Sequence, residues 1–254
     1  MNRMKEKVVF ITGGGKGIGF GIASAFAEEG ASLVLTGRTL ETLELAKTSL
    51  EIGYPDCRVL IVPADGADES SVNQAIEQTV RQFGRLDVLI NNAQTSKSGT
   101  LLADHTKEDF DLAVYSGLYA TFYYMRAAFP YLKESRGCVI NFASAAGLSG
   151  KSGQASYAAA KEGIRGLSRV AATEWGPYDI NVNVVCPLVM TPGLEKWKEQ
   201  YPELYKKTID DIPLHRFGDA KQDVGGLCLF LASDAAAYIT GETISIQGGV
   251  GLRP

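Results

Sequence analysis

A tyrosine and a lysine stand four residues apart in the stretch SYAAAK, as Tyr157 and Lys161. Side chains with this spacing lie one above the other on a helix face, so the ammonium can approach the phenol. A cation about 5 Å away, at an effective dielectric of about 20, favours the phenolate by roughly 3 kcal/mol, or about two pKa units. Taken alone, this spacing is more typical of an ordinary solvated helix than of an acid–base site, and the rest of the chain has to decide between the two.

A glycine-rich turn, TGGGKGIG from Thr12 to Gly19, follows the first apolar run of the chain. Such a turn lets the backbone approach a pyrophosphate without a Cβ atom in the way. The helix that follows offers free N–H donors and the positive end of its dipole. The pattern predicts a dinucleotide site whose residues are Gly13, Lys16, Gly17, Ile18 and Gly19.

The end of the second predicted strand indicates which dinucleotide binds. A carboxylate about 20 residues past the glycines would hold the ribose 2′-hydroxyl of NAD. This chain instead has Gly37 and Arg38 there, and Lys16 lies within the glycine turn. Two cations without an acid favour a 2′-phosphate, so NADP(H) is the predicted cofactor. The alternative is that both cations are ordinary surface charges.

The composition argues against several other classes of protein. A net charge of -4 without a basic stripe argues against nucleic-acid binding. Four cysteines without Cys-x-x-Cys spacing, and only two histidines, predict buried free thiols and no metal site. No apolar run has the pattern of a signal peptide or a membrane span, so we expect a cytoplasmic protein without membrane contact.

Short β-branched runs alternate with longer helical patterns along the chain. The predicted strands cover 7–12, 32–36, 58–62, 86–91, 138–143, 180–186 and 243–247, and the main predicted helices cover 17–30, 39–51, 68–83, 107–133, 155–175 and 219–232. The strands are continuously apolar, as in a parallel sheet covered on both faces. The alternation predicts an α/β fold, in which 1–254 form one doubly wound Rossmann-type domain with a mostly parallel seven-stranded sheet between helices.

Six sequence markers, in order along the chain, resemble the short-chain dehydrogenase/reductase family. They are TGGGKGIG, AD ending at Asp65, NNA ending at Ala93, Ser144 in NFASAAG, SYAAAK, and VNVVCP ending at Pro187. The resemblance covers essentially the whole chain. It implies an NAD(P)-dependent enzyme that interconverts a secondary alcohol and a ketone.

The resemblance also implies a role for each matching residue. Tyr157 would exchange the proton, Lys161 would lower the pKa of Tyr157 and hold the nicotinamide ribose, and Ser144 would orient the substrate oxygen. The hydride would belong to the cofactor, so the protein would supply position and the proton. Further cofactor contacts are implied for Asp65, Asn92, Ala93, Pro187, Val189 and Thr191.

Three positions depart from the family pattern. Gln94 stands where glycine is usual, so a side chain would narrow the site or contact the substrate. Gly117 replaces the asparagine that kinks the long helix and orders a relay water in the family. A mid-helix glycine costs about 1 kcal/mol relative to alanine, so we expect close packing or a local kink there, with Ser116 or a freed carbonyl holding the water. Leu188 replaces the glycine that usually follows the proline, and Thr191 comes one residue early.

Residues 188–217 form an insertion that caps the substrate in the family. Its apolar residues, which include Tyr201, Leu204 and Tyr205, recur at helical spacing and predict two short amphipathic helices that meet near Pro202. A lid rich in aromatic residues favours a bulky apolar substrate. The predicted substrate contacts are Gln94, Ser144, Leu188, Leu194 and Trp197. A packing or subunit-contact role is the alternative for this insertion.

Several stretches, among them NNAQ and VNVVCPLVMT, are particularly similar to the group of bacterial 12α-hydroxysteroid dehydrogenases. That resemblance implies a steroid or bile-acid substrate. The alternatives are a 3-oxoacyl-carrier-protein reductase, a broad carbonyl reductase, and a regulator that binds NADP without turnover.

The helices at 107–133 and 155–175 carry more aromatic and small residues than are needed to cover one face of the core. These residues predict a subunit interface, and the family resemblance implies a homotetramer, in which the terminal GGVGLRP would reach a neighbouring subunit.

Overall fold

A computed structural model of the chain describes residues 4–251. Residues 1–3 and 252–254 lie outside the described residues, and with them the end of the segment expected to reach a neighbouring subunit. One sheet contains the strands β1 (Val8–Thr12), β2 (Ser32–Gly37), β3 (Val59–Pro63), β4 (Val88–Asn91), β5 (Cys138–Phe142), β6 (Asn181–Pro187) and β7 (Thr243–Ile246). Their order is β3-β2-β1-β4-β5-β6-β7, and every described pair is parallel, which confirms the predicted fold class.

Helices cover both faces of this sheet. They are α1 (Gly17–Glu28), α2 (Leu40–Gly53), α3 (Glu69–Phe83), α4 (Lys107–Ala113), α5 (Ala120–Ser135), α6 (Ala145–Ser149), α7 (Ala155–Trp175), α8 (Pro192–Gln200), α9 (Pro202–Asp210) and α10 (Gly226–Leu231). The predicted pair of short helices meeting near Pro202 is confirmed as α8 and α9. The five-residue helix α6 was not predicted, because it is too short to show a helical period.

Two apolar layers hold the helices to the sheet, since successive residues of a strand point to opposite faces. On one face, Val9 and Ile11 pack in a cluster with Phe26 of α1. On the other face, Val8 and Phe10 pack in a cluster that includes side chains of α3, α5 and α7. All five residues of β1 are buried, which explains why its sequence is apolar without alternation.

The long helix predicted over 107–133 is interrupted in the structure. Between α4 and α5, the segment Val114–Tyr119 forms a π-helical turn that contains Gly117. A second π-helical turn, Ala220–Gly225, precedes α10 within the helix predicted over 219–232. Single π turns inside α-helices are frequent at functional sites. The irregularity at Gly117 therefore takes the form of an inserted wide turn.

The sheet order reverses direction between β1 and β4, where the chain passes from one half of the sheet to the other. In doubly wound sheets, ligands bind at the carboxyl ends of the strands beside this switch point. The glycine turn follows β1, and Asn92 and Ala93 follow β4, so both reach this crevice.

No helix in residues 4–251 is long and apolar enough to cross a membrane.

Candidate active site

A cavity of about 550 Å³ lies at the carboxyl ends of β1, β2 and β4. It brings together most residues predicted to bind the cofactor, and one predicted to bind the substrate. These are Gly13, Lys16, Gly17, Ile18, Arg38, Asp65, Asn92, Ala93, Thr191 and, on the substrate side, Gln94. Ser116, which the sequence suggested as a holder of a relay water, also lines it. Thr95 and Tyr124 line it too and were not predicted, since they belong to no recognised motif.

The glycine turn fits the phosphates of a dinucleotide. Gly17 has φ of 56°, and a Cβ atom built on it would meet nothing within 4 Å, so the backbone there faces open space. A Cβ atom on Gly19 would lie 2.2 Å from the carbonyl oxygen of Gly13, so only glycine permits this tight turn. Both conditions are needed if backbone N–H groups are to approach a pyrophosphate.

Thr12, which the sequence analysis did not select, joins the glycine turn to the end of β4. Its Oγ1 accepts hydrogen bonds from the backbone N–H groups of Asn92 and Ala93, each at 3.0 Å. The amide of Asn92 donates to the Thr12 carbonyl oxygen at 3.0 Å. Asn92 and Ala93 both line the cavity, so these hydrogen bonds fix this part of its wall.

Two cationic side chains, Lys16 and Arg38, line the part of the cavity where the adenosine half of the cofactor is expected. Arg38 follows β2 and donates to Thr95 Oγ1 at 3.0 Å, and Lys16 stands at the start of α1. Both side chains are exposed and both line the cavity. Asp65 lies after β3, and its carboxylate accepts a hydrogen bond from Ala67 N–H at 3.0 Å. The arrangement can hold an anionic group beside the turn that follows β2.

The structure brings Ser144, Tyr157 and Lys161 together at the end of β5 and the first turns of α7. Ser144 caps α6 by accepting a hydrogen bond from Ala146 N–H at 3.1 Å, and its hydroxyl also hydrogen-bonds Tyr157. The Lys161 ammonium lies 5.6 Å from the centre of the Tyr157 ring. Lys161 is buried, and its Nζ donates to the Phe142 carbonyl oxygen at 2.7 Å.

The predicted decrease in the pKa of Tyr157 is corrected by the structure. Burial raises the pKa of Tyr157 above its ordinary value of 10.0, and the hydrogen bond with Ser144 opposes this increase only in part. Burial also lowers the pKa of Lys161 from 10.5 to about 8. The sequence spacing indicated the approach of the cation, but not the loss of solvent around both groups, which disfavours both charged forms.

A buried polar chain beneath the site ties α7 to the sheet. Asn91 of β4 donates to Asn141 Oδ1 of β5 at 2.8 Å, and Asn141 donates to Ser168 Oγ of α7 at 2.8 Å. All three side chains are buried. Fully buried hydrogen bonds of this kind define one relative position of the strands and the helix. The orientation of α7, and with it that of Tyr157, is thereby set.

Gln94 and Gly117 fit against each other across the wall of the cavity. A Cβ atom on Gly117 would lie 2.7 Å from both Cδ and Oε1 of Gln94. The close packing expected at Gly117 is thus confirmed, and its partner Gln94 is another of the three departures from the family pattern. Both polar atoms of the Gln94 amide are enclosed and have no hydrogen-bond partner among the described residues.

Ser116, which the sequence analysis considered as a holder of a relay water, is engaged elsewhere. Its Oγ accepts from Thr95 N–H at 3.0 Å and lies 2.8 Å from the Thr95 carbonyl oxygen and 2.5 Å from that of Leu112. One hydroxyl proton is already shared between two carbonyl groups. Ser116 therefore attaches the segment after β4 to the π turn, and the structure does not support a water-holding role for it.

The segment after β6 carries the remaining predicted residues. Pro187 ends the strand, Leu188 N–H donates to the Ile246 carbonyl oxygen at 2.8 Å, and Val189 is buried and bridges to Gly218. Thr191 caps α8 by accepting from Leu194 N–H at 3.3 Å. Pro187, Leu188 and Val189 do not line the cavity at the glycine turn, whereas Thr191 does.

The two lid helices α8 and α9 contain no buried residue among those described. Trp197 and Tyr205 pack edge to face at 6.2 Å between ring centres, and Tyr205 lies 6.0 Å from the ring of Phe217. Tyr201 and Leu204, which were grouped with them by spacing, are 45% and 54% exposed. Leu194 and Trp197 are half-buried and lie outside the cavity at the glycine turn.

The parallel sheet, the glycine turn and the tyrosine–lysine pair define a Rossmann-type oxidoreductase, and the chain belongs to the short-chain dehydrogenase/reductase family. A family model described as enoyl-(acyl carrier protein) reductase matches residues 13–251. Members of this family use nicotinamide cofactors.

The similarity to particular relatives extends over nearly the whole chain. The chain is 57% identical to a 12α-hydroxysteroid dehydrogenase of Clostridium sp., over 98% of both chains. It is 36% identical to a 3-oxoacyl-(acyl-carrier-protein) reductase of Thermotoga maritima, over 98% of this chain and 99% of the other. The solved structure of levodione reductase superimposes with a TM-score of 0.91 and 35% identity, over 97% of this chain and 98% of that chain.

Proposed function

We propose that this protein is an NADP(H)-dependent hydroxysteroid dehydrogenase that interconverts a secondary hydroxyl group and a ketone, with the 12α position of a bile acid as its site of action. The observation that carries the proposal is the 57% identity to a 12α-hydroxysteroid dehydrogenase over 98% of both chains. The second candidate is a 3-oxoacyl-carrier-protein reductase, which the 36% identity to such an enzyme favours. The two candidates share their chemistry and differ in the substrate.

The proton is exchanged at the Tyr157 hydroxyl. A phenol is protonated at neutral pH, and burial raises the pKa of Tyr157 further above 10.0, so this group suits the donor role in ketone reduction. The hydrogen bond between Ser144 and Tyr157 brings two hydroxyl groups to one point, where they can hold a substrate oxygen. A nicotinamide cofactor, when bound, supplies or accepts the hydride. Lys161, which would hold the nicotinamide ribose, already has one proton committed to Phe142 and offers the others.

The NADP(H) preference rests on Lys16 and Arg38 at the cavity, with no carboxylate at the end of β2. Charged hydrogen bonds contribute about 1.5–3 kcal/mol, so Arg38→Asp should raise the KM for NADP⁺ about 10- to 100-fold and favour NAD⁺. Arg81→Asp, on the exposed last turn of α3, is a control for the added charge. An unchanged KM for NADP⁺ in Arg38→Asp would contradict the preference.

Apolar and aromatic side chains of the lid support a bulky apolar substrate. Leu194 and Trp197 are half-buried on α8, and Leu188 precedes it. Gln94 lines the cavity, but its amide atoms are enclosed beside Gly117, so a polar contact with a substrate would require this side chain to turn outward. The apolar surface at the lid matches the body of a steroid.

A substrate panel separates the candidates. The protein would be supplied with NADP⁺ or NAD⁺ and hydroxysteroids bearing the alcohol at the 3, 7 or 12 position, and with NADPH and 3-oxoacyl thioesters, while cofactor absorbance is followed. We expect turnover of the 12α-hydroxy bile acid with NADP⁺. Turnover of the thioesters alone would select the second candidate. Cofactor binding without turnover of any substrate would indicate a regulator.

A homotetramer is the proposed assembly. Phe110, Tyr115 and Tyr119 on the α4–π–α5 segment are 38–44% exposed, and Val170 on α7 is 54% exposed. The rings of Tyr115 and Tyr119 stack at 4.8 Å between centres, so they form a continuous apolar surface. Exposed apolar surfaces of this kind mark interaction sites. Light scattering on the purified protein would distinguish a monomer, dimer and tetramer.

A further inference from the structure

The first turn of α7, which carries Tyr157, begins without a side-chain cap. Gln154 precedes the helix, and its side chain accepts no hydrogen bond from the first turn. A helix start has free backbone N–H groups and tends to fray unless neighbouring groups hold it. Tyr157 is the third residue of the helix, so fraying there would move its phenol relative to Ser144. Something outside the helix has to hold this turn in place.

A loop from another part of the chain lies against this helix start. Gly99 N–H donates to the Gly153 carbonyl oxygen at 2.8 Å, and Thr100 and Gln154 form a parallel bridge. Ser98 Oγ donates to Gln154 Oε1 at 3.5 Å. We name residues 98–105, with these contacts, the 98–105 clasp. It joins the segment that follows β4 to the segment that leads into α7.

His105 completes the clasp at the residue next to Tyr157. Its Nε2 lies 2.9 Å from Ser156 Oγ, and its Nδ1 lies 3.5 Å from the Leu101 carbonyl oxygen. Ser156 is fully buried, with 0% exposure, whereas His105 is partly exposed. A buried hydroxyl needs a hydrogen-bond partner, and losing that partner costs about 1–3 kcal/mol. The imidazole therefore holds Ser156 in one position.

We propose that His105 is a positioning residue for the proton-exchanging phenol. Through Ser156 it fixes the first turn of α7, and this fixes the Tyr157 hydroxyl beside Ser144. The inference rests on the proposed function only in assigning the proton exchange to Tyr157. Because a displacement of about 1 Å at a reacting group can cost up to about 100-fold in rate, a loosened helix start should reduce kcat. The cofactor cavity does not include His105 or Ser156, so the KM for NADP⁺ should be unaffected.

The test compares His105→Ala with His105→Gln, whose amide can reach the place of Nε2. We expect His105→Ala to lower kcat about 10-fold with an unchanged KM for NADP⁺, and His105→Gln to recover most of the loss. Ser156→Ala should cost a similar factor, and the double variant His105→Ala/Ser156→Ala should lose no more than either alone. Glu108→Ala, exposed on the first turn of α4, is the matched control and should behave as the unchanged protein.

A second measurement keeps the test independent of turnover. Hydrogen exchange of the peptide that covers 153–160 should accelerate in His105→Ala and return to normal in His105→Gln. If the protein without substitutions turns over no substrate in the panel, the proposed function fails. Hydrogen exchange would still test whether His105 holds the first turn of α7 in place. Unchanged exchange and kcat in His105→Ala would overturn the inference. So would an equal loss of kcat in His105→Gln.

Discussion

The two walls that face the candidate site differ in how firmly they are held. On the β5–α7 side, Lys161 is buried and hydrogen-bonded to Phe142, and Ser168 of the same helix joins a buried polar chain to the sheet. On the lid side, neither α8 nor α9 buries a residue among those described, and Tyr201 is 45% exposed. Groups that exchange a proton have to be fixed, whereas a surface that selects a substrate by shape can adapt.

Removal of the Tyr157 hydroxyl should give the largest loss of activity. A small loss would contradict the contrast between the firmly held β5–α7 side and the lid. Tyr157→Phe keeps the ring and removes the proposed proton donor, so kcat should fall by about 10³-fold with little change in the KM for NADP⁺. Steady-state kinetics with the substrate found in the panel measures this. Tyr178→Phe, whose ring packs on Phe129, is the matched control and should retain full turnover.

The cost of burying Lys161 should appear in the pH dependence of stability. Its pKa is about 8 in the folded protein, against 10.5 ordinarily. Below pH 8 both states carry the proton, and the buried charge destabilises the fold. As the pH rises from 8 to 10.5, the folded protein releases this proton while the unfolded chain keeps it, so this group's contribution to the free energy of unfolding increases. The increase is at most about 1.4 kcal/mol per pH unit.

Urea unfolding of the unchanged protein and of Lys161→Met, at several pH values, isolates this contribution. The stability advantage of Lys161→Met at pH 7 should shrink as the pH approaches 10. A difference in free energy of unfolding that stays constant over this range would show that Lys161 is not desolvated as the structure has it. The β5–α7 side of the site would then be more exposed to solvent than its contrast with the lid requires.

The Gln94–Gly117 contact should weaken the usual effect of a helix glycine. Alanine in place of a helical glycine normally stabilises by about 1 kcal/mol. Gly117→Ala should stabilise by less than this, because its Cβ would meet the far end of the Gln94 side chain at 2.7 Å and that flexible side chain has to move. Gly226→Ala is the matched control, since a Cβ there meets nothing within 4 Å. Chemical denaturation measures all of these free energies.

The double variant Gln94→Gly/Gly117→Ala sharpens the assignment of this contact. Measured against Gln94→Gly, it should show the full gain of about 1 kcal/mol, because the Gln94 side chain is absent. A reduced gain in both backgrounds would place the cause in the backbone of the π turn and not in the Gln94 side chain.

The lid should show the smallest effect. Trp197→Ala removes an aromatic surface that packs on Tyr205 without deep burial. The KM for a bulky steroid should rise about 3- to 10-fold, while kcat stays within about twofold, because ground-state and transition-state contacts are lost together. Lys196→Ala, exposed on the same helix, controls for a change in the lid surface. A loss of kcat at unchanged KM would instead place Trp197 among the residues that act on the reacting groups, as on the β5–α7 side.

Much of this architecture follows from patterns that act over a few residues. The continuous apolar runs located the strands to within about two residues, since a strand buried on both faces has no alternation to misread. The turn from Thr12 to Gly19 was recognisable because only glycine tolerates its backbone, as the 2.2 Å contact at Gly19 illustrates. The helical spacing of Tyr157 and Lys161 brings the ammonium within 5.6 Å of the ring centre, and that approach was predictable.

Other features depend on residues that are distant in the chain and so were not predictable from local patterns. Gly117 could be recognised as unusual, but its partner Gln94 comes from the segment after β4. Thr12 opens the glycine turn, but the motif does not show that its hydroxyl accepts two backbone N–H groups from that same segment. His105 was assigned no role by spacing, and it contacts Ser156 across 51 positions of sequence.

By itself, the sequence determined the parallel doubly wound sheet, the glycine turn, and the approach of Lys161 to Tyr157, because apolar periodicity, backbone sterics and helix spacing are local. Only the tertiary structure decided the direction in which the pKa of Tyr157 moves and the direction in which that of Lys161 moves. Those directions depend on how completely distant segments exclude water from the two groups. Solvent exclusion is a property of the packed molecule, and no short stretch of sequence contains it.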